Sequence, residues 1–137
     1  MAGYSSTPLP KKLCIKEGAR VALVKAPEGF EATLGELPAG AKLVSPWRMG
    51  FDVVLLFARS RDELAGRFQT YAARIKSDGS LWVAWPKKAS KVETDLAEAD
   101  VRRHGLDVGL VDVKVCAVDE TWSGLRFVYR RKDRPRR

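Results

Sequence analysis

The sequence contains two cysteines and one histidine among 137 residues, and this scarcity excludes several kinds of chemistry. Cys14 and Cys116 are far apart in the chain and fit neither a CxxC motif nor a zinc-ligand spacing, so we expect two reduced, inert thiols. His104 has no second histidine, and no serine or cysteine is paired with it in a known catalytic motif. The sequence therefore predicts no metal site, no catalytic residue and no cofactor.

Long apolar runs and a targeting segment are also missing. No run approaches the roughly 20 apolar residues that a membrane helix needs, and the first residues lack the apolar core of a secretion signal. We therefore expect a cytoplasmic protein without a membrane partner. The length suits one domain with a core of its own, and the hydrophobic fraction of 45% is typical of globular proteins.

A net charge of +8 suggests nucleic-acid binding, but this charge is unevenly distributed along the chain. From Arg126 onward, seven basic residues accompany one acid, Asp133, whereas residues 1–125 carry 18 basic and 16 acidic side chains. A short basic end interrupted by proline is typical of a solvated terminus. The body is thus almost neutral, and the basicity belongs mainly to the tail.

A strand–helix–strand unit runs from Phe51 to Lys91 and fixes the architecture. Residues 51–57 are almost uninterrupted apolar, as in a strand covered on both faces. Ser60 and Glu63 form a capping box at the start of a helix, whose apolar stripe comprises Leu64, Phe68, Tyr71, Ala72 and Ile75. Asp78-Gly79 predicts a turn before a second strand that begins at Leu81. Such a unit predicts a right-handed parallel crossover.

The elements before this unit are less clear. Residues 19–24 predict a first strand, and a short helix could begin at Pro27 or Glu28 and end near Leu37. Residues 41–45 could form a short strand, but the five residues that follow are few for a parallel crossover. Either this segment is a short edge strand whose linker just spans the sheet, which we favour, or it is not a strand.

After the central unit, Thr94 predicts the N-cap of a helix from Asp95 to His104, and Gly105 fits the position just beyond its end. Residues 110–118 alternate, with Val111, Val113, Val115 and Ala117 on one face. Residues 125–130 alternate as well, after a turn at 119–124. These two segments predict an antiparallel hairpin that closes the sheet.

Candidate binding residues gather where the predicted strands end, because ligands of open α/β sheets bind at the carboxyl ends of the strands. They are Lys25, Glu28, Arg59, Lys87, Lys88, Asp119, Glu120 and Trp122. The basic side chains could hold a phosphate or carboxylate, and the acids could pair with them. The alternative is a solvated rim of surface ion pairs, which contribute little to stability. Trp85 and Trp122 could stack on a ligand ring or fill the core.

The motifs of common cofactor sites are absent. A dinucleotide or S-adenosylmethionine site of the usual kind has a glycine-rich turn after the first strand, whereas residues 25–29 read KAPEG. It also has an acid at the end of the second strand, and residues 44–46 read VSP. There is no Walker loop, HExxH motif or GxSxG motif.

The layout nevertheless resembles a known fold. ARVALV, FDVVLLF, a helix, SLWVAWPKK, a second helix and the LVDVKVCAV/LRFVYRR hairpin follow one another as in a class I methyltransferase-like sheet that is shortened in its first half. The strings KKLCIKEGARVALVKAPEGF, FDVVLLFARS, LWVAWPKKAS and VDVKVCAVDETWSGLRFV are similar to a small bacterial domain-of-unknown-function family (DUF3052-like). That resemblance covers about residues 4–131 and implies a compact Rossmann-like domain. It brings no activity, so no catalytic residue is carried over.

The expected fold is therefore α/β: a single Rossmann-like three-layer domain with a mostly parallel sheet and a C-terminal antiparallel hairpin. We assign residues 11–130 to this domain, residues 1–10 to a flexible arm and residues 131–137 to a basic disordered tail.

Three functional hypotheses follow. The leading one is a non-catalytic protein that binds a small anionic ligand or a protein partner at the C-terminal edge of the sheet. The alternative is a diverged methyltransferase-like enzyme. The third is a nucleic-acid accessory protein that acts through the basic tail, since weak attraction to phosphates needs only charge.

Overall fold

One mixed sheet of six strands organises the chain. The computed structural model describes residues 7–131. The strands are β1 (Arg20–Val24), β2 (Lys42–Leu43), β3 (Phe51–Phe57), β4 (Ile75–Pro86), β5 (Leu110–Ala117) and β6 (Trp122–Tyr129). Their order is β2-β1-β3-β4-β6-β5; β1 to β4 are parallel, and β6 is antiparallel to β4 and to β5. The predicted α/β fold with an antiparallel C-terminal hairpin is confirmed.

Helices and loops cover both faces of the sheet and create two cores. The helices are α1 (Leu9–Lys12), α2 (Phe30–Leu34), α3 (Arg61–Ala72) and α4 (Glu98–Val108). Side chains of β3 alternate between the two faces: Val54 and Leu56 pack with α3 and α4, whereas Val53, Leu55 and Phe57 pack with α1 and α2. The nearly unbroken apolar run of β3 therefore supplies both cores at once. Within residues 7–131, no helix is long and apolar enough to cross a membrane.

The predicted capping box at the start of α3 forms in part: Ser60 caps the helix, but Glu63 binds the residue before the N-cap. The backbone N–H of Glu63 donates to Ser60 Oγ at 3.1 Å, and the N–H of Arg59 donates to Glu63 Oε1 at 2.8 Å. The first bond pairs a backbone donor that the helix itself cannot satisfy, and the second holds the residue that precedes the N-cap. Because this cap fixes the exit of β3, it also fixes the position of Arg59.

The predicted turn at Asp78-Gly79 is instead an irregularity inside a strand. β4 already begins at Ile75, which pairs with Phe51, and the register between β3 and β4 then shifts between Phe51 and Val53. A Cβ placed on Gly79 would lie 2.8 Å from the carbonyl oxygen of Phe51. Glycine is required here because two strands approach closely at a bulge, not because the chain reverses.

β2 is an edge strand, as we favoured, but it has only two residues. Lys42 and Leu43 pair with Arg20 and Val21 of β1. Val53 of β3 also pairs with Val21, from the other side. β2 and β3 therefore flank β1 at the same level of the sheet. The short linker between them only has to cross β1 and does not have to run back along a full strand.

Helix α4 lies three to four residues later than the sequence predicted. It ends at Val108, followed by Gly109 with a φ of 112°. Gly105, the predicted terminator, is inside the helix, where an added Cβ would lie 2.0 Å from Cε1 of Phe127. Thr94 does not cap α4; its Oγ1 accepts from the N–H of Leu96 at 3.1 Å in the preceding turn.

Two smaller expectations also need correction. Helix α2 is shorter than predicted, and it buries Phe30 and Leu34. The register of β5 against β6 shifts between Asp112 and Lys114, so the predicted valine face is broken and Val113 is 49% exposed.

The ends of the chain are described only in part. α1 begins at Leu9 and buries Pro10, so the last residues of the predicted arm are helical. Residues 1–6 of that arm and the tail from residue 132 onward lie outside the described residues.

Candidate functional site

The predicted strand-end loops do meet at the carboxyl edge of the sheet. The N–H of Ala58, just after β3, donates to the carbonyl oxygen of Ala84 in β4 at 2.9 Å. The N–H of Lys87, just after β4, donates to the carbonyl oxygen of Thr121, just before β6, at 2.8 Å. These backbone hydrogen bonds join the segments at the ends of β3 and β4 and at the start of β6 into one continuous edge.

A line of aromatic rings runs beneath this edge. Phe30 at the start of α2 lies edge-to-face on Phe57 at the end of β3, with centroids 4.9 Å apart. Phe57 lies edge-to-face on Trp122 at the start of β6, with centroids 5.0 Å apart. All three rings are buried. They fill the space between the β1, β3 and β6 ends, so Trp122 belongs to the core of the edge.

Arg59 lies above this line. Its guanidinium carbon is 5.0 Å from the centre of the Trp122 ring, in cation–π geometry. Its backbone is held by Glu63 Oε1, and the side chain is half-buried. Among residues 7–131, its guanidinium forms no ion pair. The edge thus carries an oriented positive charge without an ion-pair partner among residues 7–131.

Lys25 and Glu28 lie in the turn after β1. Lys25 has a φ of 59°, the left-handed region that non-glycine residues rarely adopt, and both side chains are exposed. They line a shallow cavity of about 460 Å³ that is formed by residues 23–31. The neighbouring strands β1 and β3 bring this turn beside the Arg59 segment.

The remaining predicted residues have more varied surroundings. Lys87 is half-buried, and Lys88 is exposed at the start of a 3₁₀ turn that spans Lys88–Ser90. Asp119 Oδ1 accepts from the N–H groups of Thr121 and Trp122, at 2.8 and 2.9 Å. Its carboxylate therefore shapes the turn, while Glu120 is exposed to solvent.

Trp85 does not join Trp122 in one stacking site. Pro86 pairs with Trp122 and Trp85 with Ser123, so the two indoles point to opposite faces of the sheet. Trp85 packs in the core beneath α3 and α4, and Trp122 packs in the core beneath α1 and α2. The sequence allowed two roles for these tryptophans, stacking on a ligand ring or filling the core. Both side chains fill the core.

The edge lacks the geometry of a usual dinucleotide or S-adenosylmethionine site. The turn after β1 starts with a lysine, and its first glycine, Gly29, comes at the N-cap of α2. β2 ends opposite Val21, three residues before β1 ends, which is about 10 Å below the edge at about 3.3 Å per residue. No acid at the end of β2 could therefore reach a ribose at this edge. The described residues do not fit either cofactor in its usual mode.

Arg59 and Trp122 were both predicted from the sequence, but their contact was not. The signal was present in part, because Ser60 and Glu63 fix the segment that carries Arg59. What was missing was the register between β4 and β6, which decides the face on which Trp122 lies.

Comparison with known proteins gives the fold a context. No family model matches this chain, so the resemblance to the domain-of-unknown-function family is not confirmed, and no curated protein matches its sequence. Solved structures do match.

Three of these solved structures illustrate the likeness. A TehB-like SAM-dependent methyltransferase from Corynebacterium glutamicum is 10% identical over 94% of this chain and 91% of that chain, with a TM-score of 0.59. A precorrin-6y C5,15-methyltransferase from Geobacter metallireducens is 9% identical over 89% and 86%, with a TM-score of 0.64. A ribosomal protein L11 methylase from Lactobacillus delbrueckii subsp. bulgaricus is 10% identical over 89% and 75%, with a TM-score of 0.63. This chain has the Rossmann-like fold of these methyltransferases.

Proposed function

We propose that this chain is a diverged methyltransferase-like protein whose carboxyl edge binds a small anionic ligand at Arg59. The observation that carries the proposal is the guanidinium of Arg59, held over Trp122 at 5.0 Å without a carboxylate partner among residues 7–131. A half-buried charge that lacks a partner is stabilised when a ligand of opposite charge binds. Lys25 and Lys87, on the two neighbouring loops, add positive charge to the same edge.

The chemistry of the guanidinium narrows the ligand class. Its planar donors match the oxygen pairs of phosphates and carboxylates and can bind both oxygens at once. Because Trp122 holds the side chain and Glu63 holds the backbone, little rotamer freedom is lost on binding. The predicted ligand is therefore a small phosphate or carboxylate compound, with Glu28 and Glu120 at the rim available for a polar group on that ligand.

An enzyme of the methyltransferase type is the second candidate. The solved neighbours support it more than they support a non-catalytic protein, since methyltransferases recur among them. Two features oppose the usual mode of S-adenosylmethionine binding. The turn after β1 begins with a lysine, and β2 ends before it reaches the carboxyl edge of the sheet. We therefore assign no catalytic residue and no methyl-transfer step. The two candidates differ in whether S-adenosylmethionine binds at this edge.

Calorimetric titration with inorganic phosphate and with S-adenosylmethionine tests both candidates. Arg59→Gln should weaken phosphate binding at least tenfold, because a hydrogen bond to a charged group contributes about 1.5–3 kcal/mol. Arg48→Gln is the matched control; it removes one positive charge from an exposed residue in the β2–β3 linker, and phosphate affinity should not change. Equal weakening by both variants would mean that only net charge attracts the anion. Submillimolar binding of S-adenosylmethionine that depends on Arg59 would favour the enzyme.

A further inference from the structure

A second polar cavity lies at the opposite, amino edge of the sheet. It has a volume of about 330 Å³ and is formed by residues 14–19, the start of β3, the first half of β4 and Arg126 of β6. This volume is at the lower end of the range for small-molecule pockets, roughly 300–1,000 Å³. It is separated from the carboxyl edge by the length of the strands, so the two regions can be tested independently.

Arg126 provides an oriented cation in this cavity. Its Nε donates to Ser80 Oγ at 2.7 Å, and Ser80 is only 2% exposed. The bond fixes the guanidinium and leaves its terminal nitrogens without a protein acceptor among residues 7–131. No carboxylate in that range forms an ion pair with it. A half-buried guanidinium in this state is suited to a carboxylate that it can bind through two donors.

Three acids line the same cavity, and they differ in how they are compensated. Asp52 is fully engaged, because Oδ1 lies 3.1 Å from the ammonium of Lys76 and Oδ2 accepts from the N–H of Arg20 at 2.8 Å. Glu17 and Asp78 form no ion pair with residues 7–131. The cavity therefore presents the exposed carboxylates of Glu17 and Asp78 together with the half-buried guanidinium of Arg126. Lys16, which is exposed and forms no ion pair with residues 7–131, adds a second positive charge to the lining.

We propose that this cavity binds a small zwitterion, namely a free amino acid. Arg126 would bind its carboxylate, and Glu17 or Asp78 would accept from its ammonium group. Ala19 and Val53, which are buried apolar lining residues, would contact a small side chain. Both charges on the ligand are part of the proposal, because the lining carries the unpaired acids Glu17 and Asp78 as well as the basic groups of Arg126 and Lys16.

Titrations of the full chain with matched ligands test this proposal. The probes are glycine, L-alanine, L-serine and L-valine, with two analogues of valine that each lack one charged group: isobutylamine and 3-methylbutanoate. At least one of the four amino acids should bind and shift the amide resonances of residues 14–19 and 78–80. Valine should bind at least tenfold more tightly than either analogue. Absence of binding by all four amino acids, or equal binding of valine and 3-methylbutanoate, would overturn the proposal.

Variants separate this site from the one at the carboxyl edge. Arg126→Gln should weaken amino-acid binding at least tenfold, whereas Arg130→Gln, which removes an exposed charge just after β6, should leave it unchanged. Arg59→Gln should not affect amino-acid binding. Loss of binding in both Arg126→Gln and Arg130→Gln would contradict a specific role for Arg126. If Arg126→Gln does not fold, the ligand series on the unmodified chain still supports or overturns the proposal.

Discussion

Replacing Gly105 with alanine should destabilise the protein, although alanine is the better helix former. Gly105 is buried inside α4, and an added Cβ would lie 2.0, 2.5 and 2.6 Å from three ring carbons of Phe127. Carbon atoms prefer separations of about 3.5–4.0 Å. Phe127 cannot easily retreat, because it is fully buried and lies edge-to-face on Phe68, with centroids 5.2 Å apart. Helix α4 would have to move away from β6.

The magnitude follows from two opposing effects. Alanine gains about 1 kcal/mol over glycine in a helix interior, whereas overpacking a core costs about 1–3 kcal/mol, and more where backbone must shift. With a clash of this depth we expect a net loss of about 1–2 kcal/mol in the free energy of unfolding. Urea denaturation measures that loss, provided that the m-value is unchanged.

The chain offers a matched control in α3. An added Cβ on Gly66 meets no atom within 4 Å, so Gly66→Ala should gain about 0.5–1 kcal/mol. The opposite signs of the two substitutions are the core of the prediction. If Gly105→Ala stabilised the protein as Gly66→Ala does, the close packing of α4 on β6 would be wrong. Combining Gly105→Ala with Phe127→Leu should reduce the penalty, as a coupled pair does in a double-mutant cycle.

Three further predictions concern other parts of the molecule. Trp82→Phe should lower the free energy of unfolding, measured by urea denaturation, by about 2–4 kcal/mol. The substitution removes the hydrogen bond from Nε1 to the carbonyl oxygen of Leu13 (2.9 Å) and leaves a cavity in the core. A loss below about 1 kcal/mol would contradict the role of Trp82 in joining β4 to residue 13. Burial raises the pKa of the Cys116 thiol, although the positive charges of Lys12 and Lys114 act in the opposite direction. The alkylation rate of Cys116 in the folded chain should therefore still rise with pH where the rate in the denatured chain has levelled off. Coincident rate–pH profiles for the folded and denatured chains would refute the effect of burial. The thiol in the folded chain ionises at higher pH than in the unfolded chain, so its contribution to stability is complete below the unfolded pKa and falls as pH rises through the folded pKa. If the tail binds nucleic acid, removal of residues 130–137 should abolish binding and flatten its dependence on salt; unchanged binding would make the tail incidental.

Much of the fold could be predicted because its signals are local. The apolar run of β3, the Ser60 N-cap of α3, and the alternation of β6 each depend on a few neighbouring residues. Together with the handedness of parallel crossovers, they determine the sheet and its carboxyl edge. The confirmed predictions are of this kind.

The errors arose where a residue responds to a partner distant in sequence. In the sequence Gly105 has the pattern of a helix terminator, but in the structure it packs against the ring of Phe127. Gly79 has the pattern of a turn residue, but it packs against the carbonyl oxygen of Phe51. In both cases glycine is needed for close approach, not for a positive φ. Sequence alone does not separate these two uses of glycine.

The candidate site was also predictable only in part: its location follows from the topology, and its side-chain contacts do not. Topology placed the loops of Arg59, Lys87 and Trp122 at one edge, and the backbone bonds between those loops agree. The stacking of Arg59 on Trp122, and the separation of Trp85 from Trp122 by the sheet, depend on the register of β4 with β6. No pattern in the sequence determines that register.

The shortened β2 links the fold to the proposed function. In the solved methyltransferases the fold is shared, but here β2 stops opposite Val21 and the turn after β1 begins with Lys25. The edge therefore carries the positive charge of Arg59 but lacks the features of a usual nucleotide cofactor site. The proposed anion site is consistent with both features.

The most direct test of the anion site is an amide resonance titration of the ¹⁵N-labelled chain with inorganic phosphate. We predict saturable shifts concentrated at residues 24–29, 58–60 and 86–88, and their loss in Arg59→Gln but not in Arg48→Gln. Shifts that avoid these segments, or that persist unchanged in Arg59→Gln, would contradict an anion site at the carboxyl edge of the sheet.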